Sequence, residues 1–245
     1  MNSAPWKATV FTLYPEAFPG VLGLSVIGRG LEDRKWELET VNIRDFALDK
    51  HQTVDDAAFG GGPGMVMRPD VLDAALTHTF HKGKPDKLIY LSPRGQPLTQ
   101  AFSQQLASYA HVGFICGRFE GIDQRILETW VIEEVSLGDF ILAGGEVAAQ
   151  ALIESVVRLL PGVLGAEESL EEESFSNGLL EHPQYTRPRE WKGLSVPEVL
   201  LSGHHGKIKE WRKVCSEKLT QLRRPDLWER YVRRLETSLC SSENN

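Results

Sequence analysis

Three glycine-punctuated segments, each directly after a strand-like apolar run, constrain the fold of this 245-residue chain more than any other feature. They are LSPRG (91–95), CGRFEGID (116–123) and SLGDFILAGGE (136–146). Glycine at the exit of a strand lets backbone amides and carbonyls come close to a ligand that side chains would otherwise hold away. We therefore predict one ligand pocket built from three loops. Turn geometry alone is the alternative explanation of these glycines.

Strand-like and helix-like runs alternate through about the first 160 residues. Strands are expected at 8–13, 38–43, 88–91, 112–116 and 131–136. Helix starts are marked by Pro69, by Thr99 as a cap and by Asp123 as a cap, for runs ending near residues 80, 109 and 130. The alternation predicts an α/β fold in which a mostly parallel sheet carries helices on both faces.

A long helix at 146–160 is predicted to close this unit. Its apolar positions have helical spacing and are interpreted as core or interface residues. They are Val147, Ala151, Ile153, Val156, Val157 and Leu160.

The rest of the chain changes character after this helix. We predict three parts: an α/β domain at 1–160, a mobile acidic linker at 161–177 and a small helical domain at 178–245. Helices are expected at 197–201, 208–222 and 225–235. Their predicted core consists of Trp211, Leu219, Leu222, Trp228, Tyr231 and Leu235. The ends at 1–7 and 237–245 are expected to be disordered.

Charge is distributed unevenly although the net charge is -7. The segment 187–234 has 13 Lys and Arg against 6 Asp and Glu, whereas the first 186 residues have 14 against 26. A basic C-terminal part inside an acidic protein suits contact with a polyanion, although a solvated helix face has the same composition.

Composition and cysteine usage favour a cytoplasmic enzyme. No apolar stretch approaches the roughly 18 residues of a membrane span, and the N-terminus has no signal-peptide core. The three cysteines are Cys116, Cys215 and Cys240, and their spacing does not suit a metal. We predict no metal site and leave open whether a divalent ion assists.

Common nucleotide and hydrolase motifs are missing from the sequence. Neither G-x-G-x-x-G nor the phosphate-binding G-x-x-x-x-G-K-S/T is present, and no serine lies in G-x-S-x-G. The glycine-rich GGGPGM (60–65) is interpreted as a tight flexible loop. Cys116, inside an apolar strand, is interpreted as an inert packed thiol.

The ordered series of motifs resembles a known enzyme family. The segments are TVDDAAFGGGPGM (53–65), YLSPRG (90–95), ICGRFEGIDQR (115–125), GDFILAGGE (138–146), PGVLG (161–165), YTRP (185–188) and VPEVLLSGHH (196–205). Together they resemble the bacterial tRNA (guanine-N(1)-)-methyltransferases that modify guanosine 37. The resemblance runs from about residue 11 to residue 226.

This resemblance implies a fold, a cofactor and an assembly. The fold is an α/β trefoil knot of the SPOUT type, and the cofactor is S-adenosylmethionine, bound in a bent form by the knot loops. The assembly is an obligate homodimer whose active sites are shared between chains. The implied cofactor residues are Tyr90, Leu91, Ser92, Pro93, Gly95, Gly117, Ser136, Leu137, Gly138, Asp139, Phe140, Ile141, Leu142, Gly144 and Gly145.

The resemblance also implies three catalytic residues. The ring nitrogen of guanine loses a proton as it is methylated, and the neighbouring carbonyl oxygen gains negative charge. A linker residue of the family acts as the base, and its position is Glu173, where the family commonly has aspartate; Glu172 is the alternative. Arg158 would support the developing charge. Glu120 would accept a hydrogen bond from the guanine amino group, or alternatively form a salt bridge with Arg118 or Arg125.

Residues for tRNA binding follow from the same resemblance. Arg118 would lie between cofactor and RNA, and Asp55 with Asp56 in a segment that approaches the anticodon region. Basic residues of the C-terminal part would meet phosphates: Arg187, Lys207, Lys209, Arg212, Arg223 and Arg224. Two alternatives stay open at this point, a knotted methyltransferase with another RNA target and a non-catalytic RNA-binding module.

Overall fold

The structure is a computed structural model, and it describes residues 4–165 and 173–242. The chain divides into two compact units, Met1–Gly165 and Ala166–Asn245. The boundary falls in the segment predicted as a linker. Residues 166–172 of that segment, including Glu172, lie outside the described residues, as do 1–3 and 243–245.

The first unit has α/β architecture, as the sequence predicts. Its strands are β1 (Trp6–Thr12), β2 (Trp36–Asn42), β3 (Asp55–Ala57), β4 (Met65–Met67), β5 (Lys87–Pro97), β6 (His111–Cys116) and β7 (Glu133–Ser136). Its α-helices are α1 (Ser25–Glu32), α2 (Pro69–Thr79), α3 (Gln100–Ala107), α4 (Gln124–Trp130) and α5 (Glu146–Val157). Short 3₁₀ helices lie at Pro15–Ala17, Gly20–Gly23 and Ile43–Phe46.

Among the described residues, five strands form a parallel sheet in the order β2-β1-β6-β5-β7, and β3 pairs with β4 as an antiparallel hairpin. Alternate residues of β1 enter two apolar clusters on opposite faces. Ala8 and Val10 belong to the cluster that includes residues of α5, whereas Phe11 belongs to the cluster that includes residues of α2 and α4. Both faces are therefore covered by helices, which is the usual condition of a parallel sheet.

Two of the predicted helix caps are confirmed by hydrogen bonds. The Thr99 hydroxyl accepts from the amide of Phe102 at 3.2 Å, and the Asp123 carboxylate accepts from the amide of Arg125 at 2.9 Å. Each satisfies an amide that the first helical turn leaves without an intrahelical partner. Pro69 begins α2, where its missing N–H costs nothing.

Two element boundaries differ from the prediction. Val131, predicted as the first residue of a strand, has a left-handed backbone (φ 53°) and caps α4, so the strand begins at Glu133. The predicted helix 146–160 ends at Val157, because the amides of Leu159 and Leu160 bond three residues back rather than four. Ile153, Val156 and Val157 are buried, but Val147 is 62% exposed within the single chain. Assigning Val147 to the core is wrong, and an interface role stays a prediction.

The chain ends are more ordered than expected. Trp6 and Lys7, predicted as disordered, begin β1; the indole of Trp6 is buried and donates to the carbonyl of Leu106 at 3.1 Å. At the other end, α8 (Pro225–Ser242) continues past residue 237, where a disordered tail is predicted. Apolar burial anchors the first segment, and unbroken helical periodicity extends the second.

The strand β5 is interrupted where its glycine segment lies. Val135 of β7 pairs with Leu91 before the interruption and with Gln96 after it. Residues 92–95 therefore leave the sheet as a loop that is fastened at both ends to the same neighbouring strand. Gly95 lies so close to the backbone of Glu134 and Val135 that a Cβ there would overlap with it.

The second unit is helical with one small hairpin. Its elements are β8 (Glu190–Trp191), β9 (Leu194–Ser195), α6 (Glu198–Leu201), α7 (His205–Arg223) and α8. The buried residues of α7 are Ser216 and Thr220, one turn apart, and Tyr231 of α8 is buried as predicted. Leu222 is 80% exposed, because it follows Thr220 by two residues and thus points away from the buried face. Leu222 and the exposed Leu235 are corrections to the predicted core.

Within the described ranges, no helix has both the length and the apolar character that crossing a membrane requires.

Candidate active site

The three glycine loops meet in one cavity of about 330 Å³ in the first unit. The first loop interrupts β5, and the other two follow β6 and β7. In the parallel sheet, β5 lies between β6 and β7. Parallel strands place their carboxyl ends at one edge of the sheet, so the loops converge there. Predicted cofactor residues on the wall are Tyr90, Leu91, Ser92, Pro93, Gly117, Ser136, Leu137, Gly138, Phe140, Ile141, Leu142, Gly144 and Gly145.

Two predicted cofactor residues do not line this cavity. Gly95 packs against the backbone of β7 and thereby fixes the base of its loop. Asp139 is exposed, between the two wall residues Gly138 and Phe140. The structure thus gives Gly95 a packing reason that is independent of any ligand.

Close approach between loops explains two further glycines. A Cβ on Gly145 would lie 2.7 Å from Cα of Cys116, and the amide of Gly145 donates to the carbonyl of Gly117 at 3.0 Å. A Cβ on Gly117 would lie 2.6 Å from the Tyr90 ring. Neither Gly117 nor Gly145 has a left-handed backbone, so turn geometry does not account for them.

Burial sets the ionisation of two groups at this edge. The Cys116 thiol is fully buried, and desolvation, followed by the neighbouring Glu146 carboxylate, raises its pKa well above the ordinary value. Cys116 is therefore a protonated packing residue, as its position in an apolar strand predicts. Burial also raises the pKa of the Tyr90 hydroxyl, which stays protonated at neutral pH.

Arg118 lies on the cavity wall in a network of polar groups. Its Nη2 is 2.9 Å from Oε2 of Glu146, and its guanidinium lies 4.4 Å from the centre of the Tyr14 ring. The other carboxylate oxygen of Glu146 accepts from the Thr12 hydroxyl at 2.8 Å. Arg118 also packs on Gly144, where a Cβ would overlap with Nε.

Glu120 lines the same cavity and is exposed. Its two predicted salt-bridge partners are engaged elsewhere, Arg118 with Glu146 and Arg125 with Asp123 at 2.8 Å. In the described part of the chain the salt-bridge alternative for Glu120 is therefore not realised. The carboxylate lies against Gly64. A side chain at position 64 would overlap with the Glu120 carboxylate and would have to displace it.

The hairpin of β3 and β4 connects the glycine-rich segment 60–65 to the second loop. The amide of Met67 donates to the carbonyl of Gly121 at 2.9 Å, and the amide of Glu120 donates to the carbonyl of Met65 at 2.9 Å. Asp55 pairs with Met67 across the hairpin, so it belongs to an element that borders the cavity. Residues 60–65 have positive φ at Gly60, Gly61, Gly62 and Gly64, which agrees with the predicted turn.

The two remaining catalytic candidates belong to different units. Arg158 is the C-terminal cap of α5, and it is half-buried. Glu173 lies in the second unit, where it lines a separate cavity of about 390 Å³. Basic side chains on that cavity are Lys209, Arg212, Lys213 and Arg234. Joint action of Glu173 and Arg158 stays a prediction.

The basic residues predicted for tRNA binding have different surroundings. Arg187, Lys207 and Arg223 are exposed, whereas Arg212 lines the cavity that also contains Glu173. Arg224 pairs with Asp226 at 2.7 Å, and that hydrogen bond lowers the pKa of Asp226 to about 2. Part of the charge of Arg224 is therefore already balanced within the unit.

Two unpredicted wall residues, Val135 and Ala148, lie outside the three segments predicted to build the pocket. Five others lie within those segments but were not named as site residues for this pocket: Arg94, Phe119, Gly121, Ile122 and Ala143. Thr12, Tyr14 and Glu146 were missed as polar partners of Arg118. A polar residue at the end of a buried strand, as Thr12 is, was the signal that could have found the first of them.

The described residues contain no group of three His, Cys, Asp or Glu side chains placed to hold a metal ion.

Comparison with known proteins extends these observations to the whole chain. Residues 6–230 match the family described as tRNA (Guanine-1)-methyltransferase TrmD. A tRNA (guanine-N(1)-)-methyltransferase of Ruegeria pomeroyi is 60% identical over 92% of this chain and 93% of its own length. The proteins of that name from Mesorhizobium japonicum and Rhodospirillum rubrum are 59% and 57% identical, over 91% and 92% of this chain and 96% and 94% of their own lengths.

The fold and the match agree with each other. The parallel sheet with helices on both faces and the additional C-terminal helices correspond to the knotted SPOUT fold of this family. The chain therefore belongs to the TrmD family and is a tRNA (guanine-N(1)-)-methyltransferase.

Proposed function

We propose that this enzyme transfers a methyl group from S-adenosylmethionine to N(1) of guanosine 37 in tRNA, and that it acts as a homodimer. The observation that carries the proposal is the cavity in which three glycine loops converge on Arg118 and Glu120. Glycines on the wall leave room for a bulky ligand close to the backbone. Arg118 offers a hydrogen-bond donor to a nucleobase, and Glu120 offers an acceptor. Sequence resemblance supplies the identity of the methyl donor and of the target nucleotide.

The residues of the cavity fit this cofactor. Leu137, Phe140, Ile141 and Leu142 provide an apolar surface suited to an adenine ring, and backbone groups at 136–138 and 144–145 lie beside it. When bound, S-adenosylmethionine supplies an electrophilic methyl group on a sulfonium centre. The residues that line the cavity would hold the cofactor, and Glu120 lies on the same wall.

The chain supplies a base and two polar contacts to the guanine. Glu173 removes the N(1) proton, and Arg158 stabilises the negative charge that develops on the carbonyl oxygen. Glu120 accepts from the exocyclic amino group, which distinguishes guanine from adenine. Glutamate is one methylene longer than the aspartate common in the family, and a displacement of the base by about 1 Å is enough to be costly in catalysis.

The RNA partner and the assembly belong to the same proposal. The basic residues of the second unit bind phosphates of the anticodon stem-loop. Asp55 lies in the protein segment that approaches the anticodon region. A homodimer completes each active site and covers the exposed apolar residues of α5, including Val147. Sedimentation equilibrium at working concentration tests the assembly: a dimer is expected, and monomer alone would contradict it. A cytoplasmic location stays a prediction.

Methyl incorporation from labelled S-adenosylmethionine into two tRNA transcripts tests the reaction. The transcripts differ only in having guanosine or adenosine at position 37, and label is expected in the first alone. Equal label in both would move the target to another nucleotide. Absence of label in both, with cofactor binding shown by calorimetry, would reject catalysis with Glu173 as the base.

A further inference from the structure

The polar groups around Arg118 form a closed ring of contacts. The amide of Tyr14 donates to Oγ1 of Thr12 at 3.0 Å, and Oγ1 donates to Oε1 of Glu146 at 2.8 Å. Oε2 of Glu146 pairs with Nη2 of Arg118 at 2.9 Å, and the Arg118 guanidinium lies over the Tyr14 ring. Each of the four residues thus contacts two others, so the contacts form a closed ring.

Two members of this ring are buried. Thr12 is fully buried at the end of β1, and Glu146 is 4% exposed at the first position of α5. Both are anchored on regular elements rather than on loops, which holds side chains more precisely. Arg118 comes from the loop after β6 and keeps 26% of its side chain exposed on the cavity wall.

A free arginine would be poorly suited to this place. Its side chain has many rotamers, and ordering them when the substrate binds would weaken binding. Here the Arg118 side chain contacts the Tyr14 face and the Glu146 carboxylate, packs on Gly144, and donates from Nη1 to the carbonyl of Ala143 at 3.4 Å. The Arg118 and Glu146 charges lie 2.9 Å apart as an ion pair, and a partly buried pair is screened less by the solvent than one on the surface.

We infer that Glu146 is a positioning residue for methyl transfer: together with Thr12 and Tyr14 it holds the Arg118 guanidinium fixed on the cavity wall, where its remaining N–H groups meet the bound guanosine. This inference rests on the proposed function for the place of the target nucleotide. A carboxylate at the first turn of a helix also stabilises the helix dipole, but that role requires neither Thr12 nor Arg118.

A double-mutant cycle on tRNA methylation tests the inference. Glu146→Gln removes the charge and keeps the shape, and we expect kcat/KM for tRNA to fall on the order of 100-fold, with unchanged affinity for S-adenosylmethionine. In an Arg118→Ala background the same substitution is expected to cause no further fall. An equal fall in both backgrounds, or an equal loss of cofactor affinity, would show that Glu146 is only structural.

Thr12 provides a matched pair that leaves every charge in place. Thr12→Val removes the hydroxyl at nearly constant volume, whereas Thr12→Ser retains it. We expect kcat/KM to fall on the order of 10-fold in the valine variant and to be restored in the serine variant. Equal activity in the two variants would show that the Thr12 hydroxyl does not help to position Arg118.

A spectroscopic measurement tests the ring without turnover. Rotation of the Arg118 guanidinium about its Cζ–Nη bonds, followed by ¹⁵N NMR of the protein without tRNA, is expected to be slow in the native protein and fast in Glu146→Gln. Fast rotation in both would overturn the inference. Slow rotation in a native protein that does not methylate tRNA with guanosine 37 would instead reject the proposed function while the ring stands.

Discussion

At the scale of single residues, the proposed general base is Glu173, at a position where the sequence resemblance expects aspartate. Glu173 lies in the second unit, where it lines a cavity with Lys209 and Arg212, whereas the cavity proposed for the cofactor belongs to the first. We predict that Glu173→Gln lowers kcat by about 10²- to 10⁴-fold, because general-base catalysis contributes that much, while cofactor affinity and folding are unchanged. Single-turnover methylation measures the rate, and circular dichroism measures the folding.

Glu172→Gln is the matched control for this substitution, since it removes a carboxylate one residue away. Near-native turnover is expected for the control. If Glu173→Gln kept its activity and Glu172→Gln lost it, the base would have been assigned to the wrong glutamate.

The glycines of the cavity are sensitive to a single methyl group. In Gly145→Ala the new Cβ would lie 2.7 Å from Cα of Cys116, a backbone atom that cannot move without disturbing β6. We predict a loss of about 1–3 kcal/mol of stability from overpacking, together with weaker binding of S-adenosylmethionine. Thermal unfolding and calorimetric titration measure the two effects.

Gly165→Ala serves as the control, because no heavy atom of the described residues lies within 4 Å of a Cβ built at that glycine. Its melting temperature and cofactor affinity should match those of the native protein. A Gly145→Ala variant that also matched would mean that the two loops are able to separate without cost.

At the scale of secondary-structure elements, the amino-terminal edge of the sheet has its own polar cluster. His111 of β6 lies 2.9 Å from the Thr9 hydroxyl, and Glu39 of β2 accepts from that hydroxyl and pairs with Lys7 at 2.7 Å. Burial, and then the charge of Lys7, lowers the pKa of His111 below its ordinary 6.5, although Glu39 and Asp86 oppose this.

This shift predicts the direction of a pH effect. The unfolded chain binds a proton at His111 near pH 6.5, before the folded protein does, so stability falls as pH drops through that range. The lowered pKa of Glu39 acts only below its ordinary 4.5 and thus leaves this window unaffected. Melting temperatures at pH 7.5 and 5.5 should differ less in His111→Gln than in the native protein; equal differences would contradict the shift.

Prediction from the sequence succeeded where one local rule decides the structure. Thr99 and Asp123 are caps because their side chains reach the nearby amides, and the buried strands follow continuous apolar runs. It failed at Val131, an exposed β-branched residue that takes a left-handed backbone where α4 ends, and at Leu222, where helical periodicity did not identify the buried face. Knotted topology follows no local rule, so only the family resemblance indicated it.

The candidate site was predictable to a similar extent. Glycine at strand exits identified the three loops, although the contacts that require Gly95, Gly117 and Gly145 are made with neighbouring strands and loops. The partners of Arg118 were not found, because Thr12 and Glu146 are 134 residues apart in sequence and meet only through the order of the strands.

At the scale of the whole molecule, the sign of the charge changes along the chain: segment 187–234 of the second unit is basic, whereas the first 186 residues are acidic. We predict that reversing Arg187, Lys207 and Arg223 to glutamate weakens tRNA binding and lowers the slope of log affinity against log salt by about 1 for each phosphate that is no longer neutralised. Affinity for S-adenosylmethionine should not change, because its cavity lies in the first unit. Filter binding across a salt series and calorimetry provide the measurements.

Lys82→Glu is a matched control in the first unit, at an exposed lysine. It changes the net charge without touching the basic segment, so a small effect on tRNA affinity is expected. If the control were as harmful as the variants of the second unit, general repulsion rather than phosphate binding would explain the weaker affinity.

The double pairing of β5 with β7 has a kinetic consequence. The two ends of the loop 92–95 pair with Val135, and Arg94 forms an ion pair with Glu134 at 2.9 Å. This loop would therefore lose little conformational entropy when the cofactor binds. Association of the cofactor should accordingly proceed in one step, with no slow phase for loop closure in stopped-flow traces. Amide hydrogens of this loop should exchange with solvent at nearly the same rate before and after the cofactor binds.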